Sequence, residues 1–378
     1  MRRLTFAMLI VVMAGVLAAR VSLRAQGAAA KPLEIYVTDP EGGKAALWIA
    51  PSGQTVLVDT GSPGARDHDR LMEVITAAGV TRIDYLISTH YHVDHIGGLQ
   101  ELVKRIPVGT FVDHGPTVEG PVASALREQV AGFQAAYAEL WAKAKHLVVK
   151  PGDVVPVKGL DWRIVAAAGT ALKAPMTGAP GAGRPNLACA GTLPKDITTD
   201  PENGQSVGSV ITLGRFRAAD FGDLLWNNEL ALMCPSNPLG TVDLFMATNH
   251  GSNTSNSPPM VHGLRPRVAL MQNGTTKGAA VDVMQTLRSS PGLEDIWQLH
   301  WSYTAGIEHN APGIFIANLE EPATMAQRWT APPAAGRGGG GGVPPHVPAY
   351  WVKVTANATG GFTVTNSRNN FSKTYNPH

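Results

Sequence analysis

Charged residues are scarce in this 378-residue chain. Only 16% of the residues are charged, against about 25% in an average soluble domain, whereas 44% are hydrophobic. This composition excludes a solvated, disordered chain, because it supplies enough apolar surface to bury a core. The 41 glycines and 28 prolines stay below the share of about 25–30% that marks low-complexity sequence. The composition therefore predicts a globular protein that is rich in turns.

Basic residues show little excess over acidic ones. The formal net charge is +2, and it becomes −2 when Arg2, Arg3, Arg20 and Arg24 are left out, since no acidic residue precedes Glu34. Binding to a nucleic-acid backbone depends on a clustered positive surface. The charge balance therefore does not favour a nucleic-acid partner, and we expect a small-molecule substrate, which can carry a phosphate.

An apolar run too short to span a membrane begins the chain. Leu4 to Ala19 follow two arginines and precede small residues around Ala25. This layout is typical of a bacterial-type signal peptide, and a spanning helix needs roughly 20 apolar residues. We interpret residues 1–25 as a signal peptide. The mature protein is then expected to be periplasmic or secreted, without a stable membrane span.

Cysteine occurs only at Cys189 and Cys234. In an exported protein these two residues can close one disulfide, and the alternative is two buried thiols. The sequence does not decide between them, because a disulfide needs Cα atoms about 4.4–6.8 Å apart. Neither cysteine lies in a nucleophile motif, and no glycine-rich phosphate loop ends in Lys-Ser or Lys-Thr. These absences disfavour a thiol hydrolase and a nucleotide-binding enzyme.

Short apolar or alternating runs predict strands in both halves of the chain, with helical patterns between them. The spacing predicts a helix over 67–78 that ends at Gly79, and the longest helical pattern covers 122–145. Residues 169–204 show no periodicity and predict a long surface loop. Together these patterns indicate a layered α/β fold rather than strict βαβ repeats.

Composition also suggests the boundaries of the domains. Residues 334–343 are almost entirely Gly, Ala and Arg, which is typical of a flexible segment. We divide the chain into a signal peptide (1–25), a main domain (31–320), a Gly-, Pro- and Ala-rich loop or linker (321–343) and a C-terminal β-hairpin extension (344–378).

Three histidines and one aspartate occur within six positions directly after an apolar strand: His90, His92, Asp94 and His95. Residues two apart in an extended segment point to the same side, so His90 and His92 can bind one metal ion. Asp94 and His95, at the turn into the next helix, can face a second ion. Imidazole and carboxylate ligands suit Zn²⁺, with Mn²⁺ or Fe as alternatives. This density favours a metal site over a solvated polar loop.

The segment resembles the His-x-His-x-Asp-His signature of the metallo-β-lactamase superfamily of binuclear metal hydrolases. The resemblance implies an αββα four-layer sandwich whose loops hold both metals along one edge. It also implies that Asp59 supports the metal loop, that Asp223 bridges the metals and that His250 is the last ligand. Asp220 is a competitor for the bridging role, but it lacks the preceding glycine of Asp223. These matches cover roughly residues 33–275.

One departure concerns the third histidine that most members of this superfamily supply to the first metal. The corresponding stretch, Ala166 to Leu172, contains no histidine. Together with His250-Gly251-Ser252, this resembles the metallo-β-lactamase domain of the DNA-uptake competence proteins. The first metal is then expected to be weakly held, completed by water, or absent, and His146 is an alternative ligand.

Several further histidines need a separate interpretation. His114 and His300 are candidate substrate contacts or proton donors, and each can equally be a hydrogen-bonded structural residue. The remaining histidines are expected at the surface: His68, His262, His309 and His346.

The resemblance implies an exported metal-dependent hydrolase that uses a metal-activated hydroxide on a small ester, lactone, amide or phosphodiester. Asp94 is the candidate catalytic residue, which would hold the second metal and pass a proton to the leaving group. One alternative is a secreted nuclease or phosphodiesterase of the competence type. Another is a metal-binding protein that has lost catalysis along with the third histidine. Fold-level resemblance does not settle the substrate.

Overall fold

The structure is a computed structural model that describes residues 31–119, 125–197, 200–319 and 348–377. The predicted signal peptide and the predicted linker at 321–343 lie outside the described residues. The strands are β1 (Leu33–Val37), β2 (Ala46–Ile49), β3 (Thr55–Val58), β4 (Ile83–Ile87), β5 (Val108–Asp113), β6 (Lys145–Val148), β7 (Val154–Val155), β8 (Asp161–Ala167), β9 (Thr170–Ala171), β10 (Arg184–Pro185), β11 (Gly208–Leu213), β12 (Phe216–Asp220), β13 (Ser236–Asn237), β14 (Leu244–Met246), β15 (Val268–Met271), β16 (Asp295–His300), β17 (Ile316–Asn318), β18 (Val352–Ala356), β19 (Phe362–Asn366) and β20 (Ser372–Tyr375). The helices are α1 (Ala65–Ala77), α2 (Val93–Ile96), α3 (Leu99–Arg105), α4 (Ala125–Trp141), α5 (Trp226–Met233), α6 (Pro258–Leu264), α7 (Val281–Arg288) and α8 (Gly306–His309).

Two nine-stranded sheets form the centre of the described part of the chain. The first has the order β20-β19-β18-β1-β2-β3-β4-β5-β6, and its last four strands are parallel. The second has the order β17-β16-β15-β14-β12-β11-β8-β7, with β9 paired to β8. Its strands β12, β14, β15, β16 and β17 run parallel. In each sheet, the carboxyl ends of the parallel strands lie on one edge, which is where ligand-binding loops usually gather.

The two sheets pack face to face and helices cover their outer faces. Trp48 of β2 and Trp162 of β8 meet edge to face at the centre of the inter-sheet core, with ring centroids 5.1 Å apart. A second core lies between the first sheet and helices α1 to α3, and a third lies between the second sheet and helices α5 to α7. The predicted αββα four-layer sandwich is therefore confirmed.

Helix α1 forms where the apolar spacing predicts it. Leu71, Val74 and Ile75 are buried on one face, and Gly79 follows the helix with a φ of 68°. The helix predicted over 122–145 extends too far at its C-terminal end. Helix α4 ends at Trp141, and residues 145–148 form β6, an edge strand parallel to β5. Sheet pairing thus overrides the helical spacing at that end. The beginning of the pattern, at 122–124, lies outside the described residues.

The segment 169–204 is mostly irregular, as predicted, but it contains short pairings. Thr170–Ala171 pairs with β8, and Arg184–Pro185 pairs with β13. Cys189 and Cys234 form a disulfide, which ties this segment to the end of α5. Of the two alternatives left open by the sequence, the disulfide is therefore the one observed.

The C-terminal segment extends the first sheet. Strands β18 and β19 form the predicted hairpin, and a third strand, β20, follows it. Strand β18 pairs with β1, so these strands belong to the same sandwich as the main domain. Trp297 of β16 donates a hydrogen bond to the Tyr375 hydroxyl of β20 at 3.0 Å, which joins the two sheets at this end. Every helix of the described segments is too short or too polar to cross a bilayer.

Candidate metal centre

The histidine-rich loop leaves the carboxyl end of β4 and enters the short helix α2. Gly97 and Gly98 follow that helix because there is no room for a side chain: a Cβ atom would lie 2.3 Å from the Val93 oxygen at Gly97 and 2.3 Å from the Thr60 oxygen at Gly98. The helix can therefore press against the turn after β3. That turn carries Asp59, whose carboxylate accepts hydrogen bonds from the Thr89 N–H and hydroxyl, both at 2.8 Å.

Four predicted ligands converge into one buried group: Asp94, His95, Asp223 and His250. The Nε2 atom of His95 lies 3.5 Å from Asp94 Oδ2 and 3.4 Å from Asp223 Oδ2. The Nε2 atom of His250 lies 3.3 Å from each of the same two oxygens. Ligands about 2.0–2.1 Å from a tetrahedral zinc ion are separated by about 3.3–3.4 Å. The four nitrogen–oxygen distances therefore match those between ligands of a tetrahedral metal ion, and all four ligand atoms lie within 4.8 Å of one another.

Hydrogen bonds to Nδ1 prepare three histidines for metal binding. His95 Nδ1 contacts Asp59 Oδ2 at 2.8 Å, and His250 Nδ1 donates to the Gln272 carbonyl at 3.0 Å. His90 Nδ1 contacts the Thr89 hydroxyl at 3.1 Å, and that hydroxyl donates its own proton to Asp59. In all three rings Nε2 is buried without a hydrogen-bond partner. Such a pattern leaves the Nε2 lone pair available to an ion, so the residues fit a metal.

The charges of the group also favour a cation. Burial alone raises the pKa of Asp223, but His250 and His95 hold it well below its usual range. Burial likewise raises the pKa of Asp94, and Lys277 and His95 lower it well below that range. Burial lowers the pKa of His95, but Asp223, Asp94 and Asp59 raise it well above its ordinary value. Both carboxylates are therefore ionised at neutral pH, and a divalent ion can replace the proton that they attract to His95.

The His250 turn is held in an unusual backbone conformation. Asn249 and His250 have φ values of 50° and 55°, and Gly251 continues the left-handed run at 82°. Two successive non-glycine residues with positive φ are strained, and such strain persists where surrounding contacts impose it. Here the Asn249 N–H donates to the Gly222 carbonyl at 3.0 Å, which fixes the His250 turn against the Gly222-Asp223 turn.

Asp223 rather than Asp220 joins the convergent group. Asp220 is the last residue of β12 and forms a buried ion pair with Lys44. Gly222 has a φ of 57°, and a Cβ atom there would lie 2.7 Å from Thr89. The glycine before Asp223 thus lets the turn after β12 approach the histidine loop closely.

His90 and His92 lie beside the convergent group, outside it. His90 is fully buried, and its ring centroid is 4.1 Å from that of His95 and 4.7 Å from that of His92. His92 is 21% exposed, and its Nε2 atom contacts Glu119 Oε1 at 3.0 Å.

No histidine lies in the stretch from the end of β8 through β9, where most members of the superfamily supply a third histidine ligand. His146 lies in β6 and contacts Asp113 Oδ2 at 2.7 Å, so it does not take that place.

The two candidate substrate contacts are buried and bonded to carboxylates. His114 contacts Glu202 Oε1 at 2.8 Å, and His300 contacts Asp39. Asp39, Glu41 and His300 form a second group with ligand-like spacing, but the Arg70 guanidinium lies 3.0 Å from Asp39 Oδ2 and already supplies a positive charge. Both histidines are therefore hydrogen-bonded to buried carboxylates, and a role in substrate contact stays a prediction.

The prediction that His68 lies at the surface is wrong. His68 is only 6% exposed, because α1 turns this residue towards the protein interior. His262 and His309 are half-buried, and His346 lies outside the described residues.

Residues of the site that sequence reasoning missed are Glu119, Glu202 and Lys277. Lys277 contacts the Asp94 carboxylate from the loop after β15. Gly42 lies under its side chain, where a Cβ atom would be 3.2 Å from the Lys277 Cβ and Cδ atoms. None of the three stands in a motif, and each reaches the site from a different loop. Only the fold could reveal them.

Comparison with known proteins finds a family model that matches part of the chain. Residues 40–171 match the family model described as the metallo-β-lactamase superfamily. Among curated proteins, a β-lactamase-like protein 2 homolog of Caenorhabditis elegans is 29% identical over 66 residues, which is 16% of this chain and 22% of that protein. A coenzyme F420H(2) oxidase of Methanothermobacter marburgensis is 31% identical over 105 residues, which is 27% of this chain and 23% of that protein. The chain thus spans less than a quarter of the length of these relatives.

Solved structures are similar at low sequence identity. A diphosphatase of the PhnP family is 12% identical, with 70% of this chain and 94% of that chain covered and a TM-score of 0.38. The subclass B3 metallo-β-lactamase MEM-A1 from a soil metagenome library is 15% identical, with 70% and 84% covered and a TM-score of 0.34. CmlA, a diiron β-hydroxylase from Streptomyces venezuelae, is 16% identical, with 66% and 46% covered and a TM-score of 0.35. Similarity at this level says nothing about the substrate, and the closer resemblance to competence proteins stays a prediction.

Proposed function

We propose that this chain, which belongs to the metallo-β-lactamase superfamily through residues 40–171, hydrolyses a small ester, lactone, amide or phosphodiester in a metal-dependent reaction. The observation that supports it most is the convergence of Asp94, His95, Asp223 and His250 with tetrahedral spacing. We propose Zn²⁺ as the ion because two imidazoles and two carboxylates suit it, with Mn²⁺ or Fe as alternatives. A bound divalent ion supplies Lewis acidity that makes water nucleophilic near neutral pH.

The chain's own residues then have separate roles. Asp59, the Thr89 hydroxyl and the Gln272 carbonyl keep the histidine rings in the tautomer that exposes Nε2. Substrate would approach from the side of His92 and Lys277, because their side chains are 21% and 23% exposed, whereas those of the four convergent residues are below 10%. Asp94 belongs to the buried group and also contacts the partly exposed Lys277. Its ionised carboxylate can accept a proton from the attacking water and pass it to the leaving group.

Metal analysis together with a substrate panel tests this function. We expect purified protein to hold at least one ion per chain and to hydrolyse nitrophenyl esters, lactones or bis-nitrophenyl phosphate. Asp223→Asn is expected to lose the ion and the activity while retaining the fold. The matched control is Asp161→Asn on β8, whose side chain is 43% exposed, and it should change neither. An Asp223→Asn protein with unchanged metal content would contradict the proposal.

Among the proposed substrates, Lys277 favours a phosphodiester. Its ammonium group contacts Asp94 at the edge of the site and remains partly exposed, so it can bind an anionic substrate group. Lys277→Met is then expected to raise the KM for bis-nitrophenyl phosphate by about tenfold, which corresponds to about 1.4 kcal/mol. The KM for nitrophenyl acetate should stay the same. Equal changes for both substrates would remove the preference for a phosphodiester.

Export is also part of the proposal. It is supported by the signal-like residues 1–25 and by the disulfide between Cys189 and Cys234, since disulfides persist in oxidising compartments. Amino-terminal sequencing of the protein from a periplasmic or culture fraction should begin near residues 26–31. Unprocessed protein confined to the cytoplasm would contradict this localisation.

A further inference from the structure

We propose that Glu119 is a positioning residue that holds His92 for a second, weaker metal ion beside the four-ligand group. This inference rests on the proposed metal-dependent function. It concerns the position at which the superfamily's third histidine is missing.

His92 makes its hydrogen bond with a different ring nitrogen from the other three histidines of the site. Its Nε2 atom contacts Glu119 Oε1 at 3.0 Å, whereas the other three rings use Nδ1 for their hydrogen bonds. The contact therefore leaves Nδ1 of His92 as the nitrogen available to an ion. The neighbouring His90 ring, with its centroid 4.7 Å away, keeps a buried Nε2 without a partner. The two neighbouring imidazoles thus each keep one ring nitrogen that these hydrogen bonds do not use.

Glu119 is itself held in place by a buried carboxylate. Glu202 is fully buried and accepts hydrogen bonds from the Thr117 hydroxyl at 2.9 Å and the Val118 N–H at 3.0 Å. The Glu119 N–H then donates to the Thr117 hydroxyl at 3.2 Å. Glu202 also accepts a hydrogen bond from the Tyr91 N–H at 3.2 Å, between the two histidines. The same carboxylate therefore fixes the loop that carries Glu119 and the segment that carries His92.

The geometry supports an indirect role for Glu119. Within the described residues, His90, His92 and Glu119 do not form a convergent group, whereas Asp94, His95, Asp223 and His250 do. A carboxylate bonded to the second nitrogen of a metal-binding imidazole orients the ring and makes it a stronger ligand. With no third histidine between β8 and β9, an ion at this position depends on His90 and His92 alone among the histidines. The orientation of His92 should therefore matter more than it would in a three-histidine site.

The test is a titration of the metal-stripped protein with Zn²⁺ against a chromogenic chelator, with Co²⁺ absorption as a second readout. We expect the wild type to show a tight and a weak class of one ion each. Glu119→Gln should weaken the weak class by about 10–100-fold and alter its Co²⁺ spectrum, while the tight class stays unchanged. Glu101→Gln is the matched control, because Glu101 is 48% exposed on α3 and pairs with Lys104. It should leave both classes unchanged.

Each other outcome overturns the inference. A wild type that binds only one ion, or a weak class that Glu119→Gln leaves intact, removes the role of Glu119. Complete loss of the weak class in Glu119→Gln would make Glu119 a ligand, and a parallel weakening of both classes with a lower Tm would make it structural. The absence of a tight class in the wild type would instead contradict the proposed function, so the two failures can be distinguished.

Discussion

The two buried groups of histidine and carboxylate side chains differ in what already contacts their polar atoms. In the group of Asp39, Glu41 and His300, a histidine nitrogen contacts a carboxylate and the guanidinium of Arg70 supplies a cation. The metal-site group also has a side-chain cation, because Lys277 contacts Asp94, but the Nε2 atoms of His95 and His250 have no hydrogen-bond partner. Similar ligand spacing therefore does not by itself identify a metal site. In the metal-site group, hydrogen bonds to Nδ1 leave the Nε2 lone pairs of His95 and His250 facing the group.

The largest predicted effect is a difference in bound metal between a variant of the metal-site group and a variant of the Asp39 group. His250→Ala is expected to abolish tight metal binding and to leave the fold intact, because the His250 ring serves the site rather than the core. His300→Ala should keep the ion but lower the free energy of unfolding by about 1–3 kcal/mol, since it leaves a buried acceptor on Asp39 with one partner fewer. Metal analysis and urea unfolding of both variants check this. Loss of metal in His300→Ala would show that the groups are coupled.

The buried carboxyl group of Glu229 sharpens the comparison, because it belongs to neither of the two groups. Burial raises the pKa of Glu229 to about 7, although the N–H groups of Ser257 and Asn256 donate hydrogen bonds to it. Folding therefore favours the protonated carboxyl. Its contribution to stability is fully present below the usual pKa of 4.5 and is lost as the pH rises through about 7.

Equilibrium unfolding at pH 4.5 to 8 tests this contribution. The wild type should lose about 3 kcal/mol more than Glu229→Gln across that range, because a shift of one pKa unit is about 1.36 kcal/mol. Parallel pH profiles for the two proteins would mean that Glu229 is ionised in the folded state. Asp223 should behave in the opposite way, since its histidine neighbours lower its pKa.

The smallest predicted effect is a change in metal affinity when Asp59, which contacts His95, is replaced. Asp59→Asn removes the charge that faces His95 Nδ1 but keeps an acceptor for the Thr89 N–H. We expect the tight ion to bind about 10–100-fold more weakly, with its stoichiometry unchanged. Competition with a chelator of known affinity measures this change. An unaltered affinity would assign Asp59 to the stability of the loop alone.

Most of the fold could be predicted from local patterns. The apolar runs of β1 to β3 and β15 and the spacing in α1 were recognisable, because one buried face imposes a period on the sequence. The end of α4 was not, since β6 forms only by pairing with β5. The third C-terminal strand, β20, was missed for a similar reason: its partner β19 and its contact with Trp297 give it a place that its polar sequence does not indicate.

The histidine motif determined by itself where the candidate site lies and which chemistry it offers, because His90 to His95 are neighbours in the chain. Spacing along one segment is a local property. The sequence also favoured Asp223 over Asp220, through the glycine that precedes it. Tertiary structure alone decided that Cys189 meets Cys234 and that Glu119 and Lys277 reach the site. These contacts join loops from separate strands, and only the packing of two sheets sets the distances between them.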